Sequence, residues 1–211
     1  MKLFIKIGLL SALILPALYP LSAQAAGLKG KEILGFRIGG VYTLSDMQEV
    51  FGNGTEMELH FIIGLGSWYG VDVALSSANF GDSKDVQKNI DFTGLNLGVE
   101  LGIYSGTASF HAQKRISNKL SISGSGGGGL YVVTSIIAAG LYEGTKSENR
   151  FGLCCGAGLD YQLSKKLALE LHGKYHYIFS GDGRWDAVYF YTGNTRTAFM
   201  QITIGVLIAV D

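Results

Sequence analysis

The run Thr93-Gly-Leu-Asn-Leu-Gly-Val-Glu-Leu-Gly-Ile-Tyr104 decides how this chain is read. Leu95, Leu97, Val99, Leu101 and Ile103 share one parity, and Gly94, Asn96, Gly98, Glu100 and Gly102 share the other. Successive side chains of a strand point to opposite faces, so one face here is apolar and the other polar or bare. Such a run exceeds the ~9–11 residues with which a tilted strand crosses a bilayer. A strand in a water-soluble sandwich alternates in the same way, so the reading depends on how often the pattern recurs.

It recurs seven more times, over residues 34–42, 57–65, 69–79, 120–133, 151–162, 167–179 and 198–210. In 167–179, Leu167, Leu169, Leu171, Tyr175, Tyr177 and Phe179 oppose Ala168, Glu170, His172, Lys174 and His176. In 198–210, Met200, Ile202, Ile204, Val206, Ile208 and Val210 oppose Gln201, Thr203, Gly205, Leu207 and Ala209. The 120–133 run is the least regular, because glycines interrupt it between Gly124 and Gly129.

The connections alternate as well. Residues 43–56, 80–92, 134–150 and 180–197 form long polar links, whereas 66–68 and 163–166 are short. The link 105–119 departs from the rule, being as long as the long ones. Long loops at one end and tight turns at the other, on an even strand count, predict an all-β, eight-stranded antiparallel up-and-down transmembrane barrel. Tyr42, Tyr175 and Tyr177 fall near one rim, and Trp68, Tyr69 and Tyr161 near the other, where aromatic girdles belong.

Composition agrees with this. The chain has 211 residues, 31 glycines and two prolines, and Pro16 and Pro20 both lie in the first 25 positions. That leading stretch carries Lys2 and Lys6, an apolar run, and Ser-Ala-Gln-Ala-Ala, the pattern of a secretory signal peptide cleaved after Ala25. The expected domains are therefore residues 1–25 as signal and 26–211 as barrel. With Lys2 and Lys6 removed, acidic residues slightly outnumber basic ones, which gives no footprint for nucleic acid.

The run Phe151-Gly-Leu-Cys-Cys-Gly-Ala-Gly-Leu-Asp-Tyr161, followed by Leu167-Ala-Leu-Glu-Leu-His-Gly-Lys-Tyr-His-Tyr177, resembles small Gram-negative outer-membrane barrels of the OmpA, OmpX and OmpW type. The resemblance lies in architecture and texture across residues 26–211, not in one motif. It implies location in the cell outer membrane, contact with outer-membrane lipid and lipopolysaccharide, and insertion by the barrel assembly machinery. Proteins of this type usually end in an aromatic residue, whereas this chain ends Ile208-Ala209-Val210-Asp211.

If the apolar parity meets lipid, the other parity lines the lumen. It collects Arg37, Glu58, His60, Asp72, Glu100, Asp160, Glu170, His172, Lys174 and His176. An eight-stranded barrel is just wide enough for side chains to fill, so these residues are expected to form a hydrogen-bonded plug. Arg37, Asp72, Glu100 and Glu170 fall at similar heights, and the planar five-donor fork of Arg37 suits more than one carboxylate. Gly35, Gly39, Gly98, Gly102, Gly127 and Gly129 are expected to leave room inside for bulky groups such as His172 and Lys174. The alternative is a narrow porin-like channel or transporter for small or hydrophobic solutes, as the OmpW-like resemblance implies.

Other motifs carry less. The glycine run 124–129 lacks the Lys-Ser/Thr of a phosphate cradle. His172 and His176 lie ~13 Å apart along a strand, too far for one metal, so no metal or cofactor is expected. Cys154 and Cys155 are adjacent, one facing in and one out, and are read as small buried residues. A lipid A-modifying enzyme is a lesser alternative, because His176 is followed by Tyr177 and Ile178 where a deacylase-type element has His-x-Ser. No catalytic residue is assigned. In the last long loop, Arg184, Trp185, Tyr189, Phe190 and Tyr191 form a possible interaction patch for an unknown extracellular partner.

Overall fold

The computed structural model describes residues 28–44, 47–82, 97–139, 142–179 and 197–210. Residues 1–25, expected to be a signal segment, residues 93–96, and residues 184–191, which hold the expected loop patch, lie outside the described residues. Eight antiparallel strands close into a barrel in chain order. They are β1 (Glu32–Leu44), β2 (Phe51–Gly64), β3 (Tyr69–Asp82), β4 (Leu97–Arg115), β5 (Leu120–Ala139), β6 (Tyr142–Gln162), β7 (Leu167–Ile178) and β8 (Thr197–Val210), with one helical turn, α1 (Met47–Val50), between β1 and β2. Closure joins β1 to β8, from Glu32 opposite Val210 to Leu44 opposite Ala198.

The outer wall is what the alternation demands. Leu75, Leu130 and Ile204 are each more than 60% exposed, and Phe36, Leu59, Leu153 and Leu171 also face outward. Each such side chain would gain ~1.5–3 kcal/mol from leaving water, so a band of them marks a surface that meets hydrocarbon. At the turn end, Trp68, Tyr69 and Phe110 cluster on this wall with ring centroids 5.1–6.3 Å apart. Toward the loop end, Phe151 and Phe179 stack at 6.1 Å.

The strand containing residues 97–104 is turned the other way. Leu101 and Ile103 are buried inside, each 1% exposed, while Glu100 and Tyr104 face outward. The expected lipid face of 93–104 is thus corrected for its described part, and Gly102 moves to the outer parity with Glu100. Alternation shows that one face meets something apolar, not what that something is. Here it is the inside of the barrel: Leu101 pairs across to Phe80, and both belong to a buried cluster with Val41, Met47, Phe51, Ala78, Ile103, Tyr131, Val133, Ile178 and Phe199.

The same correction removes the anomalous link. Residues 105–115 are not a loop but the wall-crossing part of β4, with Tyr104 and Phe110 outward and Ser105, Thr107, Ser109 and His111 inward. Only residues 116–119 turn. That turn matches the one at 163–166: Ile116 N and Ser117 N donate to Leu120 O, as Leu163 N and Ser164 N donate to Leu167 O. In both, the serine Oγ accepts from the leucine amide, at 3.1 and 3.2 Å.

A candidate site in the barrel lumen

One rung of the ladder organises the interior. Arg37 of β1, Gly205 of β8 and Glu170 of β7 are successive partners across three strands. A Cβ on residue 205 would lie 2.8 Å from Arg37 Cγ, so glycine there lets the arginine stem lie flat across β8. The guanidinium then reaches Glu170 with two bonds, Nε to Oε2 and Nη2 to Oε1, each 2.7 Å. Its remaining arm, Nη1, donates to Glu58 Oε1 on β2. Lys174 Nζ donates to the other Glu58 oxygen at 2.9 Å. Arg37, Glu58, Glu170 and Lys174 are all at most 4% exposed. Two parallel bonds to a carboxylate fix both partners geometrically.

His60 lies beside this group, over a second glycine. A Cβ on Gly35 would fall 1.9 Å from His60 Nε2, so the ring occupies space that only glycine leaves free. Its Nδ1 is 3.4 Å from Asp72 Oδ1 and its Nε2 is 3.6 Å from Glu170 Oε2. His172 uses the same device: Cβ atoms on Gly156 and Gly158 would come within 2.8 and 3.0 Å of its ring. Nearer the turn end, Gln113 Nε2 donates to Asp160 Oδ2 at 2.7 Å.

Toward the loop end the network continues through His176, which is fully buried. Tyr131 OH meets its Nδ1 at 2.9 Å, and Phe199 stacks on the ring at 4.5 Å and 7°. Gln201 bridges onward: with its amide nitrogen turned to the acceptors, it donates to His176 Nε2 and to Glu56 Oε1, both at 2.8 Å. Above this layer lies the apolar cluster built around Phe80, Leu101 and Ile103. The interior is therefore layered, with the Arg37 group in the turn-end half and an apolar cluster toward the loop end, beside which buried Arg150 pairs with Glu148.

Nine of the ten residues expected in the lumen face inward, and Glu100 does not; it is exposed on the outer side of β4. Glu58 takes the position at Arg37 that parity and height assign to Glu100. Glu56, Tyr131 and His111 are lumen groups that the sequence reading misses, and they join Gln201, which its parity places inside. Glu56, at the end of an expected loop, is the next inward position of β2 before Glu58, and extending the strand by its own parity finds it. His111 is hidden by the misread link.

Gly39, Gly127 and Gly129 make room of another kind: a Cβ on each would strike backbone oxygen of the adjacent strand at 2.1–2.2 Å. Cys154 faces in and is buried, with Sγ 3.5 Å from Ser109 Oγ. Cys155 faces out and is exposed, correcting its reading as a buried residue; no disulfide joins the pair. Among the described residues no group of three His, Cys, Asp or Glu is placed to hold a metal ion. None of the described helices is long and apolar enough to cross a membrane, which says nothing about strands.

No protein-family model matches the chain, and no curated protein does. Solved structures with the same fold do exist. Ail, the attachment invasion locus protein of Yersinia pestis, is 15% identical, with a TM-score of 0.56 over 86% of this chain and 99% of that one. A major outer-membrane protein of Thermus thermophilus is 11% identical, with a TM-score of 0.54 over 84% and 99%. OprG, an outer-membrane protein of Pseudomonas aeruginosa, is 12% identical, with a TM-score of 0.50 over 89% and 99%. At these identities the likeness is one of fold: this chain folds as small eight-stranded outer-membrane barrels do.

Proposed function

We propose that the protein is an outer-membrane scaffold with a plugged lumen, whose work is done at its surface by loops held on a rigid barrel and not by conduction or catalysis. The observation that carries this reading is the Arg37, Glu58, Lys174 and Glu170 group, bonded wall to wall under a buried apolar layer. Opening a path would separate buried ion pairs and leave their charges unmatched, at ~3–5 kcal/mol for each broken pair. The outward apolar band supports residence in a bilayer, and the fold shared with outer-membrane proteins supports the outer membrane of a Gram-negative cell. Lipid and lipopolysaccharide are then the partners of its wall, the barrel insertion machinery acts on it during assembly, and an extracellular partner would meet the loops.

Planar-bilayer recording of the reconstituted protein tests the reading. The expected result is no steady single-channel conductance across voltage. Steady unitary currents would replace the scaffold with a narrow channel. Incubation with lipopolysaccharide followed by mass analysis of the lipid addresses catalysis, and no released acyl chain is expected.

A further inference from the structure

Charge is unevenly divided along the barrel axis. At the turn end Lys29, Lys31, Lys119, Lys165 and Lys166 are exposed, and Lys114 and Arg115 partly so. Among the described residues of that rim the exposed acid is Glu32, while Asp160 lies inside, bonded to Gln113. In the sequence that joins the strands at the other end, residues 45–55, 81–96, 140–150 and 180–196, acids outnumber bases. A formal net charge of zero over the chain therefore hides a cationic rim.

The fold holds these cations close to the bilayer surface. Residues 28–31 strap the β2–β3 turn: Leu28 N donates to Ser67 O, Gly30 N to Gly64 O and Gly64 N to Lys31 O, at 2.9–3.1 Å. Gly30 takes the left-handed φ of 73° that this tight return requires. Leu28 is buried, whereas Lys29 and Lys31 stay exposed beside the turn. On the turn's other flank Gln113 N donates to Trp68 O at 2.8 Å, and Lys114 follows on the outward parity of Phe110 and Ala112. Trp68, clustered with Tyr69 and Phe110 on the outer wall, thus has cations on both sides. In the other two turns Lys119 precedes outward Leu120, and Lys165 and Lys166 stand between the exposed Leu163 and Leu167. Ammonium groups one or two residues from outward leucines lie in the headgroup layer, where interfacial aromatics and snorkelling lysines belong.

We infer that the turn-end rim is a binding surface for anionic phospholipid, whose phosphate headgroups its lysines gather around the barrel in preference to zwitterionic ones. The match is one of charge and of depth. Each Lys or Arg near an anionic surface is worth roughly fivefold in partitioning, and a zwitterionic headgroup, which carries its own ammonium, gains less. An acidic partner standing off the membrane fits less well. The turns 116–119 and 163–166 are too short to carry their lysines beyond the headgroups, and exposed Ile116 and Leu163 beside them are apolar. The inference rests on residence in an outer membrane with the short turns on its periplasmic side, and deepens that reading by naming the lipid class met at that end.

Fluorescence of Trp68 tests this. Trp68 and Trp185 are the chain's two tryptophans, so Trp185→Phe in the full-length protein leaves one emitter, at the turn end. The barrel is folded into vesicles of equal phosphatidylglycerol and phosphatidylcholine, and each lipid in turn is supplied with brominated chains that quench on contact. Brominated phosphatidylglycerol is expected to associate at Trp68 at least about threefold more strongly than brominated phosphatidylcholine, the ratio falling toward one in roughly 0.5 M salt. Lys29→Gln, Lys31→Gln and Lys114→Gln together are expected to abolish the preference, while unchanged quenching by brominated phosphatidylcholine shows the variant still folded in the bilayer. Equal quenching by both lipids in the parent protein, or a preference that survives the three substitutions, overturns the inference. Retention on cell-wall sacculi that the triple substitution removes, without a lipid preference, gives the rim to an acidic polymer and overturns it too. Trp68 untouched by either brominated lipid would remove the membrane and the inference together. Steady currents in the bilayer recording would change the role of the lumen and leave the lipid preference standing.

Discussion

Arg37 carries its charge into a space walled off from water and holds it there by matching every arm of the fork. Glu170 takes two bonds and Glu58 the third, with Lys174 neutralising the far side of Glu58. Truncating one member of such a group leaves the others charged and unpaired, which typically costs ~3–5 kcal/mol. Arg37→Ala is therefore expected to lower the free energy of unfolding by about that amount, read from urea unfolding in lipid vesicles. An unchanged midpoint would show that the pairs hold nothing together. The inward placement of this residue, and its fitness for two carboxylates, can be read from parity and from the guanidinium. Its partner cannot. Heights counted along strands ignore tilt and stagger, so they put Glu100 where Glu58 lies, and the role of Gly205 is visible only once β8 is known to run between Arg37 and Glu170.

At the level of the strand, β4 shows where alternation stops being informative. Its apolar parity from Leu101 to Ile103 packs into an interior cluster, while the segment that faces lipid, from Tyr104 to Ala112, has Gly106 and Ala108 between two aromatics and little contrast to read. A better signal lies in the turns. Ile116-Ser-Asn-Lys-Leu120 repeats the pattern of Leu163-Ser-Lys-Lys-Leu167, and the second of these falls plainly between two alternating runs. Recognising that repeat ends β4 at the turn and removes the one irregular connection. The orientation of β4 makes opposite demands on neighbouring residues. Leu101→Ala empties a filled interior site and should cost ~2–5 kcal/mol, whereas Glu100→Ala on the outer face should change stability by no more than about 0.5 kcal/mol. Comparison of the two unfolding free energies decides it. A costly Glu100→Ala beside a neutral Leu101→Ala would reverse the facing of the strand.

Over the whole barrel, the division into a lipid-facing exterior and a polar interior is legible because it is written redundantly: seven strands obey one parity, and closure requires each to agree with its neighbours. On β8 the outward series is apolar throughout, with Val210, Ile208, Val206, Ile204, Ile202 and Met200 following one another at alternate positions. Ile204 sits midway along this series and is 64% exposed, while Val210 lies at the turn-end rim. If this wall faces hydrocarbon, the cost of a charge must depend on its depth and not on local packing. Ile204→Arg should then destabilise the folded barrel by ~2–4 kcal/mol, and Val210→Arg by only ~0–1 kcal/mol, because the latter can extend to the headgroups. The measurement is reversible folding into phospholipid vesicles with denaturant titration. In a water-facing wall, arginine at such an exposed site would be close to neutral at both positions. Equal, small effects at Ile204 and Val210 would thus remove the membrane from the description, and with it the reason for the outward leucines.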